Sequence, residues 1–205
     1  ITQEYQTQQS QALLNRYSHL KNNLKLKIGL FIGGDSKNIF LDEHQMKVLV
    51  HQLTEVAQEI NADILATTSR RTPAGVEQLL FKRLRKHPQC PLLISAGQDN
   101  VPEAVGGILG LSAIQVVSGD SISMVSEAAS SGKSTIVFLP ELRVKDAGAQ
   151  NKHLDFIEQL GAQGYILASG IKDIGRAVYD IAKGKIQTKP LDDNPAILEA
   201  LRKII

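Results

Sequence analysis

Short runs of apolar residues alternate along the chain with longer segments in which apolar residues recur every three or four positions. The short runs are continuous, which is typical of strands buried on both faces of a parallel sheet. The longer segments have the spacing of amphipathic helices. Six strands are therefore predicted, at residues 25–32, 63–67, 91–95, 114–117, 135–139 and 165–168.

Helix-start signals lie between these runs. Asp42 precedes a helical apolar pattern and has Gln45 three residues later, which is the spacing of a capping box. Thr72 followed by Pro73 predicts an N-cap and a first helical position. A short apolar segment at 105–111 lies in a glycine-rich stretch. Further helices are predicted at 2–22, from the turn at Gly119 to Gly132, around 154–160 and 174–181, and at a last helix capped by Asn194 and Pro195 that carries Ile197, Leu198, Leu201 and Ile204.

Strand followed by helix, repeated about six times, predicts an α/β fold with a doubly wound, Rossmann-like parallel sheet. Residues 25–205 are expected to form this domain and its C-terminal helix, and residues 1–24 a helix and linker from a preceding domain. The sequence begins at Ile1 rather than at methionine, so we expect a piece of a longer polypeptide. In such sheets, ligands bind beyond the carboxyl ends of the strands, where the strand order reverses.

Composition argues against several classes of protein. The 205 residues are 42% hydrophobic and 21% charged, and no apolar run reaches the roughly 18 residues that a membrane span needs. The net charge of +2, the absence of Trp and the lack of a basic stripe argue against a nucleic-acid partner. Cys90 is the single cysteine, which fits a reducing, cytoplasmic location and disfavours a structural zinc site. Peripheral contact with a membrane stays open.

The first predicted strand ends in the loop Gly33-Gly34-Asp35-Ser36-Lys37. Glycines let backbone approach a ligand closely, Ser36 offers a hydroxyl donor, and Lys37 offers a charge that can meet phosphate. The loop matches neither the dinucleotide glycine fingerprint nor the Walker A motif, which disfavours an NAD dehydrogenase. The alternative is a plain tight turn into the next helix.

The second predicted strand is followed by Ser69, Arg70 and Arg71, close to a helix N-terminus. Helix N–H groups and the helix dipole favour negative charge, and arginine binds phosphate well. The sequence therefore predicts either an anion clamp or a solvated basic turn at this position.

The most informative stretch runs from Gly119 to Glu127. It is a strand-to-helix turn whose first helical turn carries Ser121 and Ser123, so free N–H groups and hydroxyls can hold a pyrophosphate. Asp120 is expected to belong to this site and in part to act as an N-cap. Glu127 lies four residues after Ser123 on the same helix face, where a carboxylate can accept hydrogen bonds from ribose hydroxyls. A surface glutamate is the alternative.

The stretches GLFIGGDSK, ATTSRRTP and SGDSISMVSEAASSGK resemble the C-terminal half of the mitochondrial-fission ELM-like family, over about residues 25–205. Members of that family look like GT-B glycosyltransferases, whose C-terminal Rossmann-like domain holds the nucleotide-sugar donor. The resemblance implies binding of a nucleoside diphosphate sugar as substrate, without cofactor or metal, and transfer that also needs an N-terminal acceptor domain of the same polypeptide. It implies a set of donor-binding residues: Gly33, Gly34, Ser36 and Lys37 at phosphate, Ser69, Arg70 and Arg71 beside the donor, Ser121, Ser123 and Met124 at the diphosphate, and Glu127 at ribose, with Asp35, Gly119 and Asp120 completing the loops.

One stretch departs from the resemblance. Residues 98–102, Gln-Asp-Asn-Val-Pro, carry no aromatic ring where such families usually have one, so base stacking is not expected in this loop. No catalytic residue is assigned, because the general base of GT-B enzymes commonly comes from the N-terminal domain. Two other functions stay open: a phosphosugar-binding or regulatory module, and a non-enzymatic interaction protein. The residues expected to have no catalytic role are Cys90, His19, His44, His51, His87 and His153.

Overall fold

The computed structural model describes residues 1–35, 40–139 and 152–191. Within these ranges, six strands form one parallel sheet: β1 (Leu26–Ile32), β2 (Ala62–Thr68), β3 (Leu92–Ile94), β4 (Ile114–Ser118), β5 (Ser134–Leu139) and β6 (Leu167–Gly170). Their spatial order is β3-β2-β1-β4-β5-β6. The predicted doubly wound, Rossmann-like α/β fold is therefore confirmed, and every strand end lies within two residues of its predicted position.

Helices connect the strands. The described ranges contain α1 (Gln3–Arg16), α2 (Glu43–Glu59), α3 (Ala74–Leu84), α4 (Ala104–Leu111), α5 (Ile122–Ala129), α6 (Lys152–Ala162) and α7 (Ile174–Ala182). The apolar segment at 105–111 is thus part of a helix. The sequence pattern did not predict it, because its three glycines lower the helix propensity of the segment. None of the helices in the described part has the length and apolar character needed to cross a membrane.

The helix boundaries differ from the sequence prediction in two places. The helix predicted at 2–22 ends at Arg16, because Tyr17 leaves helical geometry (φ −116°, ψ 70°), and a 3₁₀ turn follows at Ser18–Leu20. The helix predicted from Gly119 to Gly132 is shorter, since α5 ends at Ala129. The predicted last helix beyond Asn194 lies outside the described residues.

The predicted caps are borne out in part. The Asp42 carboxylate accepts the Gln45 N–H at 2.9 Å and caps α2, as expected. The Gln45 side-chain oxygen is buried and has no hydrogen-bond partner within the described residues, so the reciprocal half of the capping box does not form. At α3 the prediction is wrong by one residue: Pro73 is the N-cap and Ala74 begins the helix. The Thr72 hydroxyl is engaged elsewhere, as described below.

Burial on both faces explains the continuous apolar runs. Leu30 of β1 packs in a cluster with α2, α3 and α7, whereas Phe31 packs on the other face with α4, α5 and α6. Both side chains are fully buried. Strand β1 pairs with β2 on one side and with β4 on the other, so the strand order reverses between β1 and β4. In a doubly wound sheet this reversal marks the ligand crevice.

Helix α1 packs against α4 through a stripe of glycines. A Cβ atom on Gly107 would lie 2.8 Å from the Leu13 Cβ, so only a residue without a side chain allows this approach. The Ser10 hydroxyl donates to the Gly107 carbonyl at 3.4 Å. Arg16 forms an ion pair with the buried carboxylate of Glu103, at the start of α4. The contact ties α1 to the layer of helices below it.

We expect Gly107→Ala to lower the free energy of unfolding. The added methyl group would lie 2.8 Å from Leu13 Cβ and 3.0 Å from the Gln9 carbonyl oxygen, so α1 would have to shift. Overpacking costs about 1–3 kcal/mol, which outweighs the gain of roughly 1 kcal/mol in helix propensity. Urea denaturation followed by circular dichroism measures the change.

Gly161→Ala in α6 is the matched control. The nearest atom to its added methyl group is Ala168 Cβ at 4.0 Å, so the space is open. Here the propensity gain of about 0.5–1 kcal/mol should stabilise the protein. Two substitutions that stabilise equally would show that α1 does not pack on α4 as described.

Candidate functional site

Three loops meet at the carboxyl edge of the sheet, at the reversal of strand order. In the register of β1, Ile32 pairs with Thr68 of β2, and Phe31 pairs with Val117 of β4. The three strands therefore end side by side. Loop residues 33–35, 69–72 and 119–121 follow directly and converge, as the rule for doubly wound sheets predicts.

Asp120 and Ser118 hold the glycine loop in place. The Gly34 N–H donates to Asp120 Oδ2 at 2.8 Å, and the Gly33 N–H donates to the Ser118 hydroxyl at 2.7 Å. The Ser118 hydroxyl in turn donates to Asp120 Oδ1 at 2.6 Å. All four residues are buried. The loops after β1 and β4 are thus joined by a closed chain of hydrogen bonds.

This arrangement gives the two glycines a specific purpose. A Cβ atom on Gly33 would overlap the Asp120 carboxylate, and one on Gly34 would overlap the Arg71 backbone. The close backbone approach predicted here is therefore an approach to protein atoms. Both N–H groups already have protein acceptors, which leaves the predicted phosphate contact of this loop to Ser36 and Lys37. Those two residues lie outside the described ranges.

The loop after β2 holds Gly33 from its other side. The Thr72 hydroxyl donates to the Gly33 carbonyl and accepts the Ser69 N–H at 2.9 Å. The Ser69 hydroxyl accepts the Arg71 N–H at 2.9 Å, which closes the turn. These bonds explain why Thr72 does not cap α3. Arg70 is exposed at the tip of this turn.

Arg71 reaches across to the other two loops. Its Nη1 donates to the Asp35 carbonyl at 3.2 Å, and its Nη2 lies 3.5 Å from Asp120 Oδ2. The Arg71 side chain is 54% exposed, whereas the Asp120 side chain is fully buried. The guanidinium group therefore presents its charge to solvent from a fixed position above the strand reversal.

The Asp120 carboxylate is an ionisable group that is fully buried. Burial raises the pKa of Asp120, and the Ser118 hydroxyl, the Gly34 N–H and the Arg71 charge each oppose that rise. The expectation that Asp120 serves in part as an N-cap is wrong, because Ser121 caps α5 by accepting the Met124 N–H at 3.4 Å. The two oxygens of Asp120 instead accept the Gly34 N–H and the Ser118 hydroxyl.

Helix α5 begins directly beside this cluster. Its cap Ser121 is partly buried, Ser123 is exposed, and Glu127 follows on the same face, half-buried. Burial raises the pKa of Glu127. The first N–H groups of an α-helix have no intrahelical acceptor, and the helix dipole places a partial positive charge there. The structure thus places the start of α5 and the Arg71 guanidinium at the same edge of the sheet.

A second network, which the sequence did not reveal, orders the loop after β3. Glu77 of α3 accepts the Thr68 hydroxyl at 2.9 Å and the Ser95 hydroxyl at 2.7 Å. The Thr68 oxygen accepts the Ala96 N–H at 3.2 Å, and Asp99 accepts the Ser95 N–H at 2.9 Å. The loop at 98–102 therefore starts from a fixed base, with residues 98–100 exposed.

The residues that sequence analysis missed share one signal. Ser118, Thr68 and Ser95 are buried hydroxyl residues at or directly after the carboxyl end of a buried strand. A buried polar group needs a partner, so such positions predict a hydrogen-bond network. The partners themselves come from other strands and cannot be read from local spacing.

The other candidate groups have structural surroundings. Cys90 is buried, which raises the pKa of its thiol to about 12 and keeps it unreactive. His19 contacts the Pro91 carbonyl through Nε2 at 3.0 Å. Among the described residues, no group of three or more His, Cys, Asp or Glu side chains is arranged to hold a metal ion.

Comparison with known sequences places the chain in a family. The family described as Mitochondrial fission ELM1 matches residues 2–205. The Mitochondrial fission protein ELM1 of Arabidopsis thaliana is 36% identical to this chain over 92 residues, which cover 43% of the chain and 21% of the Arabidopsis protein.

Comparison with solved structures identifies the fold. A UDP-N-acetylglucosamine 2-epimerase from Listeria monocytogenes superposes with a TM-score of 0.59 at 16% identity, over 90% of this chain and 46% of that one. MnaA of S. aureus, in a co-structure with UDP, superposes with a TM-score of 0.51 at 17% identity, and the match covers 83% of this chain and 38% of MnaA. The wall teichoic acid polymerase TagF superposes with a TM-score of 0.50 at 14% identity, and the match covers 84% of this chain and 39% of TagF. These likenesses show a Rossmann-like fold of GT-B type, and the chain spans less than half the length of each relative.

We expect Asp120→Asn to change how stability depends on pH. Because burial raises the folded-state pKa of Asp120, folding favours its protonated form. Relative to the variant, the wild type should gain stability as the pH falls through that raised pKa. The gain is complete below the unfolded value of about 3.9 and is lost at higher pH. Urea unfolding of both proteins at a series of pH values measures the difference.

Ser118→Ala is the control for this experiment, because it disturbs the same hydrogen bonds and keeps the carboxylate. It should lower stability at neutral pH. Because the Ser118 hydroxyl opposes the rise in the pKa of Asp120, its removal should keep or strengthen the gain in stability as the pH falls. A difference between wild type and Asp120→Asn that is constant with pH, or that grows in favour of the wild type as the pH rises, would contradict the assignment.

Proposed function

The chain belongs to the Mitochondrial fission ELM1 family, and we propose that it forms the nucleotide-sugar-binding domain of a GT-B-type glycosyltransferase. The observation that carries the proposal is the position of Arg71 beside the start of α5, above the reversal of strand order. A cation and helix N–H groups without an intrahelical acceptor at that point suit the diphosphate of a nucleoside diphosphate sugar.

The proposed chemistry is stabilisation of a leaving group. Glycosyl transfer separates the sugar from the diphosphate, which leaves with the bonding electrons and gains negative charge. The N–H groups of α5 and the Arg71 guanidinium are donors fixed before the reaction starts, which is the arrangement that stabilises developing charge most effectively. Ser123, exposed in the first turn of α5, can add a hydroxyl donor.

Glu127 is proposed to hold the ribose. It lies one helical turn beyond Ser123 on the same face of α5, so a nucleotide whose diphosphate lies at the start of the helix can extend towards it. Its half-buried carboxylate can accept both ribose hydroxyls. The base would then lie towards the loop at 98–102, where Gln98 and Asn100 offer amide groups for hydrogen bonding in place of an aromatic ring.

The structural relatives support this choice of ligand class. One is named for UDP-N-acetylglucosamine and another was determined with UDP, so nucleotide ligands occur among proteins with this fold. Their identity to this chain is too low to carry residue roles across. The acceptor, a catalytic base and an acceptor domain in the same polypeptide belong to the proposal for the whole protein.

A non-enzymatic interaction role is the second candidate. The family description names mitochondrial fission, a cellular process. Two large apolar side chains at the carboxyl edge, Phe40 and Ile122, are 41% and 38% exposed. Exposed apolar side chains at this edge can contribute to contact with another protein surface. In that case nucleotides would not bind, which the next experiment tests.

We expect nucleoside diphosphates to raise the melting temperature of the protein. At about 100 times its dissociation constant, a ligand that binds only the folded state adds about 2.7 kcal/mol of stability. UDP, GDP and ADP should be compared in a thermal-shift assay, with glucose 6-phosphate as the control for a phosphosugar site. A shift with the sugar phosphate alone would favour the phosphosugar module, and no shift with any of them would refute nucleotide binding.

Glu127→Gln should weaken nucleotide binding about tenfold to a hundredfold. Hydrogen bonds to a charged group contribute roughly 1.5–3 kcal/mol, and the amide keeps the shape of the side chain while losing its charge. A 2′-deoxynucleotide should bind the wild type more weakly and lose less on mutation, because one partner hydroxyl is already absent. Isothermal titration calorimetry measures all four affinities.

Glu55→Gln on α2 serves as the matched control, since Glu55 is an exposed helix glutamate that lies 3.5 Å from His51 and outside the proposed site. It should leave nucleotide affinity unchanged. Equal losses for the ribonucleotide and the deoxyribonucleotide in Glu127→Gln would show that this carboxylate does not contact the ribose.

A further inference from the structure

A fixed negative charge lies directly beside the proposed diphosphate site. The Asp120 side chain is fully buried, and both of its oxygens accept hydrogen bonds from groups of neighbouring loops, the Gly34 N–H and the Ser118 hydroxyl. The carboxylate cannot turn away when an anion arrives, because turning would leave the buried Gly34 N–H without a partner. Its charge therefore acts on any anion at the start of α5.

Arg71 is shared between this carboxylate and the ligand. Its guanidinium group lies 3.5 Å from Asp120 Oδ2, so part of its charge is already balanced before any ligand binds. The pair of Arg71 and Asp120 has no net charge, and the start of α5 adds a partial positive charge of about half a unit. Such a site attracts an anion through local donors and gains little from each further negative charge on it.

We propose that Asp120 is a specificity-determining residue, which removes most of the advantage that the triply charged free nucleoside diphosphate would otherwise have over the doubly charged diphosphate of a nucleotide sugar. This inference rests on the proposed function and deepens it. The terminal phosphate of a free nucleoside diphosphate carries its additional charge at neutral pH, because its second ionisation lies near pH 6. In the nucleotide sugar the sugar ester removes that ionisation.

This effect of Asp120 has a consequence for turnover. When the sugar leaves, the terminal phosphate oxygen keeps the bonding electron pair, so the product carries one more negative charge than the donor. A site with a fixed carboxylate retains this product weakly, and product release often limits the rate of transferases and related enzymes. The same carboxylate opposes charge on the departing diphosphate, which the α5 N–H groups and Arg71 must offset.

The test compares two ligands that differ in this charge. Affinities for UDP and UDP-N-acetylglucosamine, and for the corresponding guanosine and adenosine pairs, are measured by isothermal titration calorimetry with wild type and Asp120→Asn. Asparagine can still accept the Gly34 N–H, while its NH₂ group donates to the Ser118 oxygen, so the loops stay joined. We expect affinity for the free diphosphate to rise about fivefold to tenfold more than affinity for the nucleotide sugar.

Asp63→Asn is the matched control. Asp63 is also a buried carboxylate with a lysine partner, Lys25 at 3.3 Å, and it lies at the amino end of β2, at the opposite edge of the sheet. Its removal should leave the ratio of the two affinities unchanged. An unchanged ratio in Asp120→Asn, or a fall in both affinities, would overturn the proposal.

A second variant keeps the proposal testable if Asp120→Asn does not fold. Arg71→Gln changes an exposed side chain and leaves the Asp120 charge without its partner. Arg70→Gln is the control, because it removes an equal charge from the same exposed turn and leaves the Arg71–Asp120 pair intact. The loss of affinity for the free diphosphate, relative to the nucleotide sugar, should be several times larger in Arg71→Gln than in Arg70→Gln, and equal relative losses in the two variants would overturn the inference. If the wild type binds neither ligand, the proposed function fails and this inference fails with it. If the wild type binds both ligands and the substitutions change the two affinities by the same factor, only this inference is refuted.

Discussion

The carboxylate of Asp120 joins the loops on both sides of the strand reversal. It accepts the Gly34 N–H and the Ser118 hydroxyl, and it meets the Arg71 guanidinium, so groups from β1, β2 and β4 depend on one side chain. A buried charge is costly unless its partners are in place, and here they come from three separate loops. The loops must therefore adopt their positions together.

The same constraint shapes what the site can bind. In doubly wound proteins the glycine loop after the first strand commonly offers its N–H groups to phosphate. Here Gly33 and Gly34 donate to Ser118 and Asp120 instead, which is why the proposed function places the diphosphate at the start of α5 and beside the Arg71 side chain. Hydrogen bonds hold the backbone of the two loops in place, whereas the Arg71 side chain is exposed to solvent. This division suits a ligand that is held by a few charged contacts.

Sequence reasoning reached most of the fold, because two-sided burial leaves continuous apolar runs, such as residues 136–139 of β5, that mark a strand directly. It also found the loops that form the site, since these follow the strands in sequence. It misplaced the roles of Asp120 and Thr72, whose partners lie in other loops, across the sheet. Helix α4 was not predicted for a related reason. Its glycines lower helix propensity, and the close approach of α1, which explains them, cannot be read from the local sequence.

Gly33 and Asp120 show why the site has to be considered as a unit. Any side chain at position 33 would overlap the Asp120 carboxylate, so the glycine is required by the aspartate as much as by backbone conformation. Removing the carboxylate alone frees that space and leaves the buried Gly34 N–H without an acceptor, which costs about 1–3 kcal/mol. The space at position 33 and the hydrogen bond of the Gly34 N–H therefore both depend on the residue at position 120. A sheet of this type hosts many functions, so a function for this chain has to be argued from this coupled pair and the arginine that contacts it.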